Sequence, residues 1–193
     1  MATNTEPFSR LTGTWDVYIA PHAGSAEAEP AMNASPAGDW VLLGPTDGSQ
    51  EIVHGGNMTY FFENGRQGPV KSVRDQEQPL LRFTVVGLTQ ENLAYILDHQ
   101  TVTTVAGPPA TKTVNLKRGG SVAEYSLLLR GSGMSPYGNF PAQYYIPKAV
   151  QGSEPTATYA RDGSPGLLCE FHILEDPDVA AAAALGHFKV QTA

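Results

Sequence analysis

The chain is short of almost everything that announces chemistry. It has one cysteine in 193 residues, so it forms no internal disulfide and no thiolate metal site. Set in the apolar run LLCEFHIL, Cys169 reads as a buried, inert thiol. No eighteen apolar residues run together, and MATNTEPFSR has no apolar segment. Neither a membrane span nor a signal peptide is therefore expected, and the sequon matches at Asn33-Ala-Ser35 and Asn57-Met-Thr59 are accidental on that expectation. Basic residues are few. Twelve Lys and Arg against nineteen Asp and Glu leave a net charge of −7, and no basic cluster exceeds Lys117-Arg118. A surface that grips phosphates is not expected from such a chain.

Catalytic signatures are missing too. There is no G-x-S-x-G elbow, no G-x-x-x-x-G-K-[ST] phosphate loop, no G-x-G-x-x-G fingerprint opening a helix and no H-E-x-x-H. The five histidines, His22, His54, His99, His172 and His187, are scattered without metal-ligand spacing. One acidic cluster stands out: Glu170, His172, Glu175, Asp176 and Asp178. Alternate strand residues put Glu170 and His172 on one face with acids just beyond, a donor set suited to calcium or magnesium. The EF-hand pattern is absent, however, and Asp176-Pro-Asp178 equally suits an ordinary strand exit. The expectation is no enzyme, no catalytic residue, no metal and no cofactor.

What is plentiful is turn chemistry. Twenty glycines and fifteen prolines are spread between strand-like runs in a chain that is 41% hydrophobic, which favours a turn-rich β protein with one core and one domain, 1–193. Thr14–Ala20 alternates, with Trp15, Val17 and Ile19 on one face. Further strands are expected at Trp40–Gly44, Glu51–His54, Thr101–Val105 paired with Lys112–Leu116, Ala123–Arg130, Ala142–Ile146, and Thr156–Arg161 paired with Leu167–Leu174 around Asp162-Gly163. Residues 21–39 and 55–79 read as long loops, the second containing an Asn64-Gly65 hairpin turn. Residues 1–13 read as an N-terminal arm and 176–193 as a tail, with either a short Ala-rich helix or no fixed structure.

Two stretches carry more information. In RFTVVGLTQENLAYIL a short helix, about 89–98, follows a strand directly. Thr89 is placed to cap it, Glu91 sits where the helix dipole favours an anion, and Leu93, Ile96 and Leu97 form one apolar face. Burying those three is worth about 1.5–3 kcal/mol each, which a two-turn helix needs in order to persist. The second stretch, Met58-Thr-Tyr-Phe-Phe62, reads either as core or as an apolar surface covered only when another subunit packs on it. Its three consecutive aromatics cannot all face one side of a strand.

The order of elements resembles the major tail tube proteins of long, non-contractile-tailed bacteriophages. The resemblance runs over roughly Trp40–Pro165: Trp40-Val-Leu-Leu-Gly44 with Asp47-Gly48, Gly-Pro-Val-Lys-Ser at 68–72, Val86-Gly-Leu-Thr-Gln-Glu-Asn-Leu93, then AEYSLLLRG, YYIPKAV and YARDGSP. It implies an antiparallel β-sandwich or half-barrel flanked by the helix, with six subunits joined edge to edge in a ring and rings stacked into a tube. It also implies assembly through a mobile loop and the chain ends, and Met58, Tyr60, Phe61 and Phe62 are the candidate assembly residues here. The implied partners are further copies of the chain and other tail proteins, such as the tape measure and tail-end proteins. DNA would pass through the lumen without specific binding. The implied location is the virion, without a membrane anchor, after synthesis in the host cytoplasm. Six chains of −7 would carry −42 per ring, and negative charge lining the lumen would keep phosphate from adhering. Residues 21–39 have no place on the family pattern. The alternative from another class is a monomeric β-sandwich or barrel module that binds carbohydrate or a small apolar ligand, with eight tyrosines and two tryptophans as material for an aromatic platform.

Overall fold

The computed structural model describes residues 15–133, 135, 137–152, 154–159 and 165–192. The expected N-terminal arm (1–13) and the Asp162-Gly163 turn lie outside them. The elements run β1 (Asp16–Pro21), β2 (Val41–Leu42), β3 (Thr46–Phe62), β4 (Pro69–Val85), α1 (Gln90–Ile96), β5 (Val102–Val105), β6 (Thr111–Val114), β7 (Glu124–Gly131), β8 (Ala142–Gln151), β9 (Thr156–Thr158), β10 (Gly166–Ile173) and β11 (His187–Val190), with a single 3-10 turn at Ala181–Ala183. All pairings among them are antiparallel. The fold class read from the sequence is the one found: a mainly β, antiparallel, sandwich-like fold with one helix and no closed barrel among the described residues.

The main sheet has the order β2-β1-β7-β8-β10-β4-β3, with β11 added beside β8 and β9 beside β10. Strand β8 is shared. Its start pairs with β11 through Tyr145↔His187 to Ala142↔Val190, while its end pairs with β10 through Ala149↔Ile173 to Gln151↔Phe171. The strands diverge between these two pairings, and the sheet curls around one apolar interior. Val17 and Ile19 of β1, Leu81, Phe83 and Val85 of β4, Tyr125, Leu127 and Leu129 of β7, Ile146 of β8 and Leu167, Cys169, Phe171 and Ile173 of β10 all point into it. Phe83 and Phe171 stack within it at 5.8 Å and 8°. Trp15 packs against the same cluster from its margin, as the β1 alternation requires.

Helix α1 closes one side of this interior. Thr89 caps it, accepting from the Asn92 backbone N–H at 3.2 Å. Ile96 and Leu97 are buried and Leu93 packs partly buried against the core, so the expected apolar face is the one used. The Tyr125 hydroxyl donates to the Tyr95 carbonyl at 2.6 Å and ties helix to sheet.

The outer face of the sheet is divided. Over β1, β7 and β8 it is covered by residues 22–39, where Ala20, Trp40, Leu128 and Tyr145 form a second buried cluster. Strand β7 is therefore buried on both faces, and AEYSLLLR lacks clean alternation for that reason. Over β10, β4 and β3 the outer face is bare: Leu168, Glu170 and His172 alternate outward between buried neighbours.

Three segments differ from the sequence reading or add to it. Residues 55–79 are not a loop but the paired arms of a hairpin, with Thr46–Phe62 facing Pro69–Val85 and the turn at Asn64-Gly65. Polar residues on both faces of the second arm, KSVRDQEQ, and apolar ones on both faces of the first, MTYFF, hid the alternation that marks a strand. Of residues 21–39, Pro21 ends β1, while 22–39 lack regular structure as expected, yet they are fastened to the sheet. The tail is not loose: its Ala-rich stretch forms only one 3-10 turn, Ala181–Ala183, instead of an α-helix, and His187–Val190 pairs with β8.

Candidate assembly surface

The long hairpin is the feature the rest of the fold does not account for. Its base, Glu51–Val53 against Leu80–Arg82, belongs to the sheet, whereas β4 is exposed at every position from Pro69 to Gln78. The neck is marked by Gly55 and Gly56. A Cβ at either would lie 2.8 Å from a carbonyl oxygen of the opposite strand, Gln78 or Gln76, so only glycine permits the arms to approach this closely there. At the far end Gly65 sits at φ +85, in the left-handed region.

Beyond the neck, the side chains that the sequence left open between core and surface are all outside: Met58 is 43% exposed, Tyr60 52%, Phe61 49% and Phe62 66%. The core reading is excluded for them. Across the ladder Val70 and Val73 are also exposed, and register places Val73 opposite Thr59 and Lys71 opposite Phe61. Alternation puts Met58, Tyr60 and Phe62 on one face and Phe61 on the other. The Tyr60 hydroxyl, 3.8 Å from the Met58 sulfur, fits that arrangement. The polar contacts along the arms are Arg74–Glu77 at 2.6 Å, Glu63–Arg66 at 3.3 Å and Thr59–Asp75. All are solvated, and such pairs add little to stability. A two-stranded ribbon wet on both faces is marginal by itself.

Where the hairpin leaves the body, a cleft of about 650 Å³ opens between β3, β8 and the C-terminal segment; its lining includes Ile52, Met58, Tyr144, Ile173, Leu185 and Phe188. Phe188 stacks on Tyr144 at 4.2 Å, and Trp15 lies 5.6 Å from Tyr144. Nothing in the sequence brings these residues together, because Phe188 lies in the segment 176–193 that reads as a tail.

Elsewhere, polar side chains serve the fold. Glu29 meets Lys189 at 2.7 Å and accepts from Gln143. Burial alone would raise its carboxyl, but Lys189, Gln143 and His187 together hold it below its ordinary value. Tyr145, Trp40 and Arg130 donate to the carbonyls of Glu27, Ala28 and Ala31 at 2.7, 3.0 and 3.0 Å. The acidic cluster is split. Glu170 and His172 lie on the bare outer face, 3.1 Å apart, with Arg82 2.6 Å from Glu170 and holding its carboxyl down. Asp176 turns inward to His22 at 3.2 Å. Among the described residues no group of three or more His, Cys, Asp or Glu is placed to hold a metal ion. Cys169 is fully buried, and burial pushes its thiol up to about 12, as suits an inert position.

No protein-family model matches the chain, and no curated protein matches it. Among solved structures it is similar to a chain of the anti-feeding prophage baseplate, determined by cryo-electron microscopy with six-fold symmetrisation. Identity is 8%, 93% of each chain is covered and the TM-score is 0.44. A likeness this distant carries no argument about function. No helix among the described residues is long and apolar enough to cross a membrane.

Proposed function

We propose that the chain is a self-assembling structural subunit, the ring-forming protein of a phage tail tube. The observation that carries this reading is the two-faced apolar hairpin, a surface that a monomer has no use for and that association would bury. The sheet edges support it. Among the described residues β2 pairs only with β1, and β3, seventeen residues long, pairs only with β4. Open edges of this kind invite pairing with another chain, and a repeated heterologous contact closes into a ring when its rotation allows.

The tail-tube resemblance supplies the finer terms: six subunits per ring, stacked rings, a lumen for DNA, and the tape measure and tail-end proteins as neighbours in the virion. The motifs behind it fall on the elements that build the core, with VGLTQENL at the β4–α1 junction, AEYSLLLRG on β7 and YYIPKAV on β8. A net charge of −7 per chain suits a conduit to which phosphate must not adhere. Sedimentation velocity over a concentration series tests the reading: discrete ring-sized and larger species are expected, and a single monomer boundary throughout would refute it. The second reading, a monomeric module for carbohydrate or a small apolar ligand, has one observation in its favour, the aromatic-walled cleft. It predicts ligand-dependent stabilisation with no change in mass.

A further inference from the structure

The hairpin that exposes Tyr60, Phe61 and Phe62 also walls the cleft at its other end. Ile52, His54 and Met58 line the cleft, and by strand alternation Tyr60 and Phe62 continue the same face outward. The chain's own tip is held away from this cleft. Met58 stands at the cleft's margin, Phe62 lies four residues on, about 13 Å farther along the strand, and pairing with Pro69–Arg74 keeps the arm extended.

We propose that the cleft receives the Tyr60–Phe62 tip of a second copy of this chain. The inference rests on the assembly reading above and names its contact. Three features favour that occupant. The cleft volume, about 650 Å³, is of the size that takes a few large side chains. Its wall offers the stacked Tyr144–Phe188 pair, to which incoming aromatic rings can add edge-to-face or offset contacts. Glu63, next to Phe62, would arrive beside the exposed imidazole of His54 on the rim, whose ring N–H can donate to the carboxylate. A knob and a hole at different places on one surface make a heterologous contact, which is directional and repeats from copy to copy.

The test uses two variants of the full chain, Glu63→Cys beside the tip and Ala182→Cys on the cleft rim. Both positions are exposed, while Cys169 is fully buried and silent. After circular dichroism shows both folded as wild type, they are treated singly and mixed with a short bis-maleimide. The expected result is a cross-linked dimer in the mixture at several-fold the yield of either variant alone. Cross-linking of Glu63→Cys alone as efficiently as the mixture would mean tip-to-tip contact and overturn the proposal. Wild-type tubes without the mixed cross-link would overturn the cleft assignment and leave the assembly reading standing. A mixed cross-link in soluble pairs that never form rings would keep the cleft contact and overturn the tube. No cross-link and no assembly, as expected if a small ligand fills the cleft, would overturn both.

Discussion

The imidazole Nε2 of His22 lies 3.2 Å from the Asp176 carboxylate, 154 residues away in the chain. This contact joins the start of residues 22–39, the strap over the outer face of the sheet, to the segment that leads into β11. Both side chains are almost completely buried, at 4% and 1% exposed. Asp176 also accepts from the Asp178 backbone N–H at 3.0 Å, and Glu124 stands 3.6 Å from the other imidazole nitrogen with Lys148 behind it at 2.9 Å. Asp176→Ala leaves buried donors without their acceptor and is expected to cost about 2 kcal/mol. Hydrogen exchange should quicken first in residues 174–190. Unchanged exchange there would mean that β11 is held by its ladder alone.

The strap and the C-terminal segment should loosen together in acid. Glu29 is held below its ordinary value of 4.5, and Asp176 below 3.8, where burial raises the carboxyl but the Asp178 N–H, His22 and Lys148 outweigh it. A carboxyl lowered in the folded state stabilises fully above its ordinary value and loses that contribution as pH falls through the folded value. Melting temperature should therefore hold steady above the ordinary values and fall as pH drops past them. Glu29→Gln and Asp176→Asn should each lower the plateau and flatten the decline.

Phe62→Glu and Phe61→Glu are expected to leave a folded chain, with stability changed by less than about 0.5 kcal/mol, because surface substitutions away from packed groups rarely do more. Neither should assemble. Circular dichroism and light scattering read the two effects separately, and an unfolded variant would mean that these rings carry the core.

Phe83→Ala is the contrasting case. Its ring stacks on Phe171 in the centre of the curled sheet, and removal from such a site costs about 3–5 kcal/mol. Denaturant melts should show a loss on that scale, whereas the tip variants show almost none.

At the helix, Thr89→Ala should cost about 1 kcal/mol through the lost cap. Asn92→Ala removes the side-chain bond to the Gly87 carbonyl, at 2.8 Å, from a buried position. It should cost at least as much, and double-mutant melts would show whether the two act as one unit.

The helix was readable because its signals are local: Thr89, Glu91 and the Leu93–Leu97 spacing all lie within nine residues. The core strands were readable where one face is wet, as in β10, whose buried and outward residues alternate. The hairpin arms were not, since KSVRDQEQ is polar on both sides and only its partner strand makes it a strand. The strap escaped for a different reason. It is fastened through backbone carbonyls at Glu27, Ala28 and Ala31, and every residue has a carbonyl, so composition does not mark them. The cleft needs β11 beside β8, a pairing more than forty residues apart in the chain that four residues, HFKV, do not advertise. Of the candidate surface, then, the aromatic run was visible in the sequence, while the cleft was not.

The most direct measurement of the central claim is negative-stain electron microscopy of the purified wild-type chain, concentrated and incubated beside a light-scattering trace. The account predicts rings or hollow tubes of uniform diameter, absent from the Phe62→Glu sample. Compact single particles in the wild type, persisting at high concentration and after seeding with phage tails, would contradict it.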